Sequence, residues 1–142
     1  MMAQPKVTML LERLGIYVAE LRRLAAIPKG DLLADPDKVA SAKYNFVAAI
    51  EARIDIANHV IAAEGFRPPK DNADSFVVLV EKSVLPEAMR EHLRSMARFR
   101  NRLVHVYWDV DDDLVAEYLH GPLGDLDRFA REISQRIVAP GE

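Results

Sequence analysis

From Pro36 to Gly65 the chain carries nothing that would end a helix, and its apolar residues recur at spacings of three and four. Val39, Ala42, Phe46, Ala49, Ile50, Ile54, Ala57, Val60 and Ile61 fall on one stripe of such a helix. Asp35 supplies a side chain that can cap exposed amides, Pro36 suits the first helical turn, and Gly65 is a natural stop. A helix of this length must bury its stripe against other elements, and the rest of the chain offers more helices.

Val7, Leu10, Leu11, Leu14, Val18, Leu21 and Leu24 predict a first helix over about Lys6 to Ala26, broken by Pro28, Lys29 and Gly30. Phe66 to Asn72, with Pro68 and Pro69, reads as a loop. A shorter helix is expected over about Ala73 to Lys82, then one from about Pro86 to Val106 with Pro86 as its first residue. The last segment begins near Asp111 to Asp113, is interrupted at Gly121 and Pro122, and resumes from Asp125 to about Val138. No alternating pattern of strand length appears. The prediction is an all-α, up-and-down bundle of four to six helices.

A length of 142 residues fits one domain, and a hydrophobic fraction of 50% can fill its core. The absence of cysteine removes disulfides and thiolate metal sites, and fits a reducing compartment. Met1 to Thr8 lacks the apolar run of a signal peptide, and no segment approaches the roughly 20 apolar residues that span a bilayer. The expected location is the cytoplasm, with no membrane partner. The net charge of -3 says little about partners, but its distribution does. Arg90, Arg94, Arg98, Arg100 and Arg102 fall within thirteen residues against one acid, Glu91.

Chemistry concentrates in Arg100-Asn101-Arg102-Leu103-Val104-His105-Val106-Tyr107, near the end of the fourth helix. Arginine holds phosphate through a planar fork of donors, histidine exchanges protons near neutral pH, and tyrosine offers a phenolic hydroxyl. Without metal ligands, these groups suit RNA cleavage by the ribose's own 2′-hydroxyl. Arg100 would hold the phosphate, and His105, with an ordinary pKa of about 6.5, would serve as base or acid. Asn101 would orient the imidazole or hold Arg100, and Tyr107 would position phosphate or donate a proton. Arg90, Arg94, Arg98 and Arg102, stepping by four, could track an RNA backbone. On a regular helix Arg100 and His105 lie about 140° apart, so one helix does not aim both at one atom. A second copy of the helix across a twofold axis would complete the site.

Plainer readings exist for each feature. A histidine at a helix end is commonly a cap or surface group, and an arginine stripe is commonly a solvated face, here with Glu87 and Glu91 at pairing distance. Asp109 to Asp113 reads as helix capping rather than a metal site. His59, His92 and His120 are not spaced as ligands, and the methionines look like core filler. Glu51 and Asp55 could meet the motif arginine or form surface pairs.

The motif Arg100-x4-His105-x-Tyr107, preceded by Met96-Ala97-Arg98-Phe99 and followed by Trp108-Asp109-Val110-Asp111, resembles the signature of HEPN-domain proteins, and among them of HepT-like toxins. The resemblance extends over Tyr44 to His59, Gly65-Phe66-Arg67-Pro68-Pro69, and Leu123 to Phe129, which is most of the chain beyond about residue 36. It implies a helical bundle that dimerises through the motif-bearing face, and a metal-independent endoribonuclease acting as the toxin of a toxin–antitoxin pair. It implies as partner a small nucleotidyltransferase antitoxin of the MntA type that transfers AMP from ATP to Tyr107, with which the dimer could assemble further. ATP would be the antitoxin's substrate, and this chain would need no cofactor. Arg102 departs from the pattern, where a less charged residue is expected, and either adds a phosphate contact or alters oligomer geometry. The runner-up is a non-catalytic helical partner of a nucleotidyltransferase; a purely structural bundle comes third.

Overall fold

The computed structural model describes residues 5–105, 111–121 and 124–137. These form helices α1 (Pro5–Ala25), α2 (Lys29–Leu33), α3 (Pro36–Glu64), α4 (Asn72–Glu81), α5 (Arg90–His105), α6 (Asp112–Leu119) and α7 (Gly124–Ile137), with a 3₁₀ turn at Glu87–Met89. No strand occurs among the described residues, so the all-α expectation holds.

The long helix α3 is the spine, packed against α1 along one side and touching α2, α4, α5 and α6. Its ends are those the sequence dictates. The Asp35 carboxylate accepts from the Asp37 and Lys38 backbone amides at 3.1 and 3.4 Å, and Pro36 stands in the first turn. At the other end Gly65 takes a left-handed φ of 68°, which lets the Gly65 and Phe66 amides both close back on the Ile61 carbonyl. Val7, Leu10, Leu14, Val18, Leu21 and Leu24 of α1 are buried on the α3 side of the bundle.

Two local predictions are corrected. The Pro28–Gly30 break holds, but it opens directly into the short helix α2, with Pro28 as its N-cap and Leu32 buried. One anchoring side chain fits a five-residue turn and leaves no periodic signal. Pro86 does not open the fourth helix: it caps the 3₁₀ turn, and α5 starts at Arg90. Met89, at the end of that turn, is buried. His120, at the C-cap of α6, explains itself structurally. Its Nδ1 lies 3.1 Å from the Ala116 carbonyl and its Nε2 3.0 Å from the Ile27 carbonyl, tying α6 to the end of α1.

The core behind α5 is aromatic. Phe99 stacks on Tyr118 of α6 with ring centroids 4.2 Å apart, and meets Phe46 of α3 edge-on at 5.5 Å. Ser95 and the Tyr118 hydroxyl are 2.8 Å apart, a second tie between α5 and α6. Opposite this cluster, Arg53 is wholly buried with its guanidinium 5.0 Å from the Phe129 ring centre on α7. No described helix is long and apolar enough to cross a membrane.

Candidate active site

Helix α5 divides into an apolar and a polar face because its buried residues, Leu93, Met96, Ala97, Phe99 and Leu103, fall at helical spacing. Glu91 in the first turn and Arg102 and His105 in the last match the helix dipole. The aromatic packing of Phe99 fixes the rotation of the helix, and therefore where its neighbour Arg100 points.

Arg100 turns toward α3. Its Nη2 donates to Glu51 Oε2 at 2.5 Å, and its Nη1 donates to Asn101 Oδ1 at 3.0 Å. The side chain is 19% exposed, while Glu51 is 45% exposed. Nε of Arg100 is buried with no hydrogen-bond partner among the described residues. A guanidinium has five N–H donors in a fixed fork, so this arginine sits anchored with donor capacity to spare. It lines a cleft of about 340 Å³ together with Glu51, Asp55, Asn58 and Asn72. Asp55 itself is exposed, and Asn58 Oδ1 accepts from the Ser75 hydroxyl at 2.9 Å.

His105 is the last residue of α5 and is exposed, as are Asn101 and Arg102. It makes no hydrogen bond with a described residue. The helix is regular from Arg90 to His105, so Arg100 and His105 do not converge on one atom within one chain, in line with the helical geometry. Asn101, Val104 and His105 share one outward face by their i, i+3, i+4 spacing, and Val104 is 45% exposed there. Tyr107, with Val106 and Trp108 to Val110, lies outside the described residues.

The arginine stripe separates into two halves. Arg90 donates to Glu87 at 2.6 Å and Arg94 to Glu91 at 2.8 Å, as expected of a solvated helix face. Arg98 and Arg102 are exposed and make no ion pair with a described residue. Sequence reasoning brings Glu51 and Asp55 near the motif arginine as one alternative; it passes over Asn58, Asn72 and Lys70. Asn58 stands seven residues after Glu51 on the same helical face, a weak signal, whereas Lys70 in the loop and Asn72 as the first residue of α4 leave no periodic trace.

The loop itself is held by charge. Arg67 donates to Asp74 from Nη1 at 2.8 Å and to Glu81 from Nε at 3.0 Å, and the Lys70 amide donates to Asp74 at 2.9 Å. The Arg67 guanidinium, and then the Lys70 amide, hold the Asp74 carboxyl down at about 2.

The helical bundle, with Arg100 and His105 five residues apart on one helix, fits the resemblance to HEPN-domain proteins. The profile of the family described as Ribonuclease HepT-like matches residues 14–133. The chain belongs to the HepT-like family. It is 31% identical over 85 residues to the mRNA nuclease HepT of Shewanella oneidensis, covering 60% of this chain and 64% of that protein's length. It is 23% identical over 128 residues to the tRNA nuclease HepT of Aphanizomenon flos-aquae, covering 90% of this chain and 87% of that one. Among solved structures, the tri-AMPylated Shewanella oneidensis HEPN toxin in complex with MNT antitoxin superimposes with a TM-score of 0.84. That likeness covers 92% of this chain and 98% of the other at 22% identity, and it shows the shared fold.

Proposed function

We propose that this chain is the ribonuclease toxin of a toxin–antitoxin pair and that it cleaves RNA without a metal. The observation that carries the reading is Arg100, half-buried and anchored by Glu51 and Asn101 on the helix that ends in exposed His105. The names of the relatives, an mRNA nuclease and a tRNA nuclease, point the same way.

In the proposed reaction the ribose 2′-oxygen attacks the neighbouring phosphorus and its proton passes to a base. The bond from phosphorus to the 5′-oxygen then breaks, and that oxygen takes a proton from an acid. The products are a 2′,3′-cyclic phosphate and a 5′-hydroxyl. Arg100 donates to the phosphoryl oxygens, whose charge grows in the transition state. His105 carries one proton transfer, and Asn101 keeps Arg100 in register. Since Arg100 and His105 of one chain diverge, a second α5 across a twofold axis supplies the opposing His105, and exposed Val104 gives that contact an apolar element.

Regulation acts at the same surface. A nucleotidyltransferase antitoxin of the MntA type would join the Tyr107 oxygen to the α-phosphate of ATP, releasing pyrophosphate. The added phosphate, two residues beyond His105, would occupy substrate space and repel RNA. Solved complexes of a related HEPN toxin with its MNT antitoxin support such a partner, as does the AMPylated state of that toxin.

The test is cleavage of a labelled RNA in the presence of EDTA by antitoxin-free protein and by His105→Ala prepared identically. Cleavage by the wild type alone, with cyclic or 3′-phosphate ends, is the expected result. Equal cleavage by His105→Ala would remove the mechanism. No cleavage by either, across several RNAs, would favour a non-catalytic partner of a nucleotidyltransferase.

A further inference from the structure

A second groove, of about 310 Å³, lies beside the Arg100 cleft, between the start of α4 and the polar face of α5. Asn101 lines it, and Asn72 lines both this groove and the Arg100 cleft. The two are therefore adjoining compartments along one face. The volume stands at the lower end of the range for small-ligand sites, about 300–1,000 Å³.

Its walls differ in chemistry. On the α5 side stand Arg94 and Arg98. Arg94 gives one donor atom, Nη1, to Glu91, which leaves most of its fork, and Arg98 is exposed without an ion pair to a described residue. Asn101 spends its Oδ1 on Arg100, so its amide NH₂ is left as a donor. Facing these, α4 contributes Ala73 and Val77 as an apolar patch, with Asp71 at the helix N-cap and Lys70 just before it at the rim, a further cation for the phosphate chain. Asp71 Oδ1 accepts from the Asp74 amide at 2.7 Å, and a carboxylate has further lone pairs. Asp74 also borders the groove, but Arg67 and the Lys70 amide already engage it.

A cationic wall opposite an apolar patch with a carboxylate at its edge fits a molecule with an anion at one end and a flat, N–H-bearing ring at the other. A simple anion would gain nothing from Asp71. A plain phosphate track would have no use for Ala73 and Val77. We propose that this groove holds one nucleotide of single-stranded RNA next to the scissile phosphate, its phosphate on Arg94 and Arg98 and its base on Ala73 and Val77 with an amino edge turned to Asp71. Cytosine, whose 4-amino group donates, is therefore favoured there over uracil, whose 4-oxo group would face a carboxylate. The inference rests on the ribonuclease reading, since it needs the Arg100 cleft to hold the neighbouring phosphate.

The test uses the full chain carrying His105→Ala, so that RNA stays uncut, and fluorescence anisotropy with labelled heptauridylates bearing a single cytidine at each position in turn. Cytidine at one position should raise affinity about fivefold or more over the all-uridine strand. Arg98→Ala should weaken every strand about tenfold and lower the salt slope by about one, while Arg23→Ala, in the last turn of α1 and outside both compartments, should not. Asp71→Asn retains a good N-cap and so keeps α4 folded, but its amide can face either pyrimidine, and the preference for cytidine should fall to near parity. Circular dichroism of each variant checks that α4 is intact.

Cytidine preference that survives Asp71→Asn, or affinity indifferent to Arg98→Ala, would overturn the groove as a subsite. Wild-type cleavage of the same strands is read in parallel. Strands bound with an Asp71-dependent preference but never cut would sink the ribonuclease reading alone. Strands cut with no dependence on Asp71 or Arg98 would sink the subsite alone.

Discussion

Glu51 and Arg100, forty-nine residues apart in sequence, meet through a single charge-assisted hydrogen bond of 2.5 Å between α3 and α5. The bond matters more for position than for stability. One partner is 45% exposed, and ion pairs of that kind contribute about 0–1 kcal/mol. What it sets is the direction of a guanidinium that would otherwise sweep a wide arc. Glu51→Ala should leave thermal stability nearly unchanged and lower kcat about ten- to a hundredfold through misplacement of Arg100. Glu51→Gln, which keeps an accepting oxygen and removes a charge that competes with phosphate, should recover much of kcat and lower KM. Steady-state cleavage of both variants separates the two effects. Parallel losses in kcat for Ala and Gln would mean that the charge, not the anchor, is what Arg100 needs.

How far the sequence reveals this arrangement depends on the range of each interaction. The caps of α3 are legible because Asp35, Pro36 and Gly65 act within a few residues of themselves. The buried face of α5 is legible because Met96, Phe99 and Leu103 repeat at helical spacing. The choice between Glu51 and Asp55 for Arg100 is not, since both lie on the same helical face and only the packing of α5 on α3 selects one. Lys70 and Asn72 are invisible for a related reason. Lys70 lies in the loop and Asn72 opens α4, and the course of that loop is set by Arg67 bridging Asp74 and Glu81, contacts with no periodicity. The exposure of Arg98 can be anticipated from the stripe, but not its place beside an apolar patch from another helix.

Phe99 should be the costliest position in α5. It is 2% exposed, stacked on Tyr118 and set edge-on to Phe46, so truncation removes transfer energy, leaves a cavity and frees the helix to rotate. Phe99→Ala should cost about 3–5 kcal/mol in chemical denaturation. Tyr118→Phe keeps the ring and loses the bond to Ser95, and should cost about 0.5–1.5 kcal/mol. If cleavage survives Phe99→Ala under conditions where the protein remains folded, the rotation of α5 does not set Arg100.

Acid should loosen the α4 loop through Asp74. Its folded-state pKa of about 2 lies below the roughly 3.9 of an unfolded aspartate. The carboxylate therefore contributes stability that is fully present above about pH 4 and is lost as the pH falls toward 2. Asp74→Asn should flatten the stability profile in that window and leave its shape near neutrality unchanged. Arg67→Ala should shift the loss to higher pH, because it removes the larger of the two influences on that carboxyl. Urea unfolding midpoints across the acid range would show both. A wild-type profile that is flat between pH 4 and 2 would mean that Asp74 is not held down.

Neutralisation by the antitoxin should depend on one oxygen atom. Nucleotidyl transfer makes a bond between a side-chain oxygen and the α-phosphorus of ATP, and a phenylalanine ring has no such oxygen. Tyr107→Phe should therefore gain no AMP when incubated with the cognate nucleotidyltransferase and ATP, read by intact mass. It should also keep cleaving RNA in that mixture while the wild type falls silent, because the substitution removes the acceptor oxygen and leaves Arg100 and His105 in place. Tyr17, Tyr44 and Tyr118 are the other phenols in the chain, and Tyr44 is 65% exposed on the α3 face. AMP appearing on Tyr107→Phe would place the acceptor among these or on a hydroxyl of another kind, and peptide mapping would say which. A Tyr107→Phe protein that accepts no AMP yet is silenced by the antitoxin with ATP withheld would show that docking alone blocks the site.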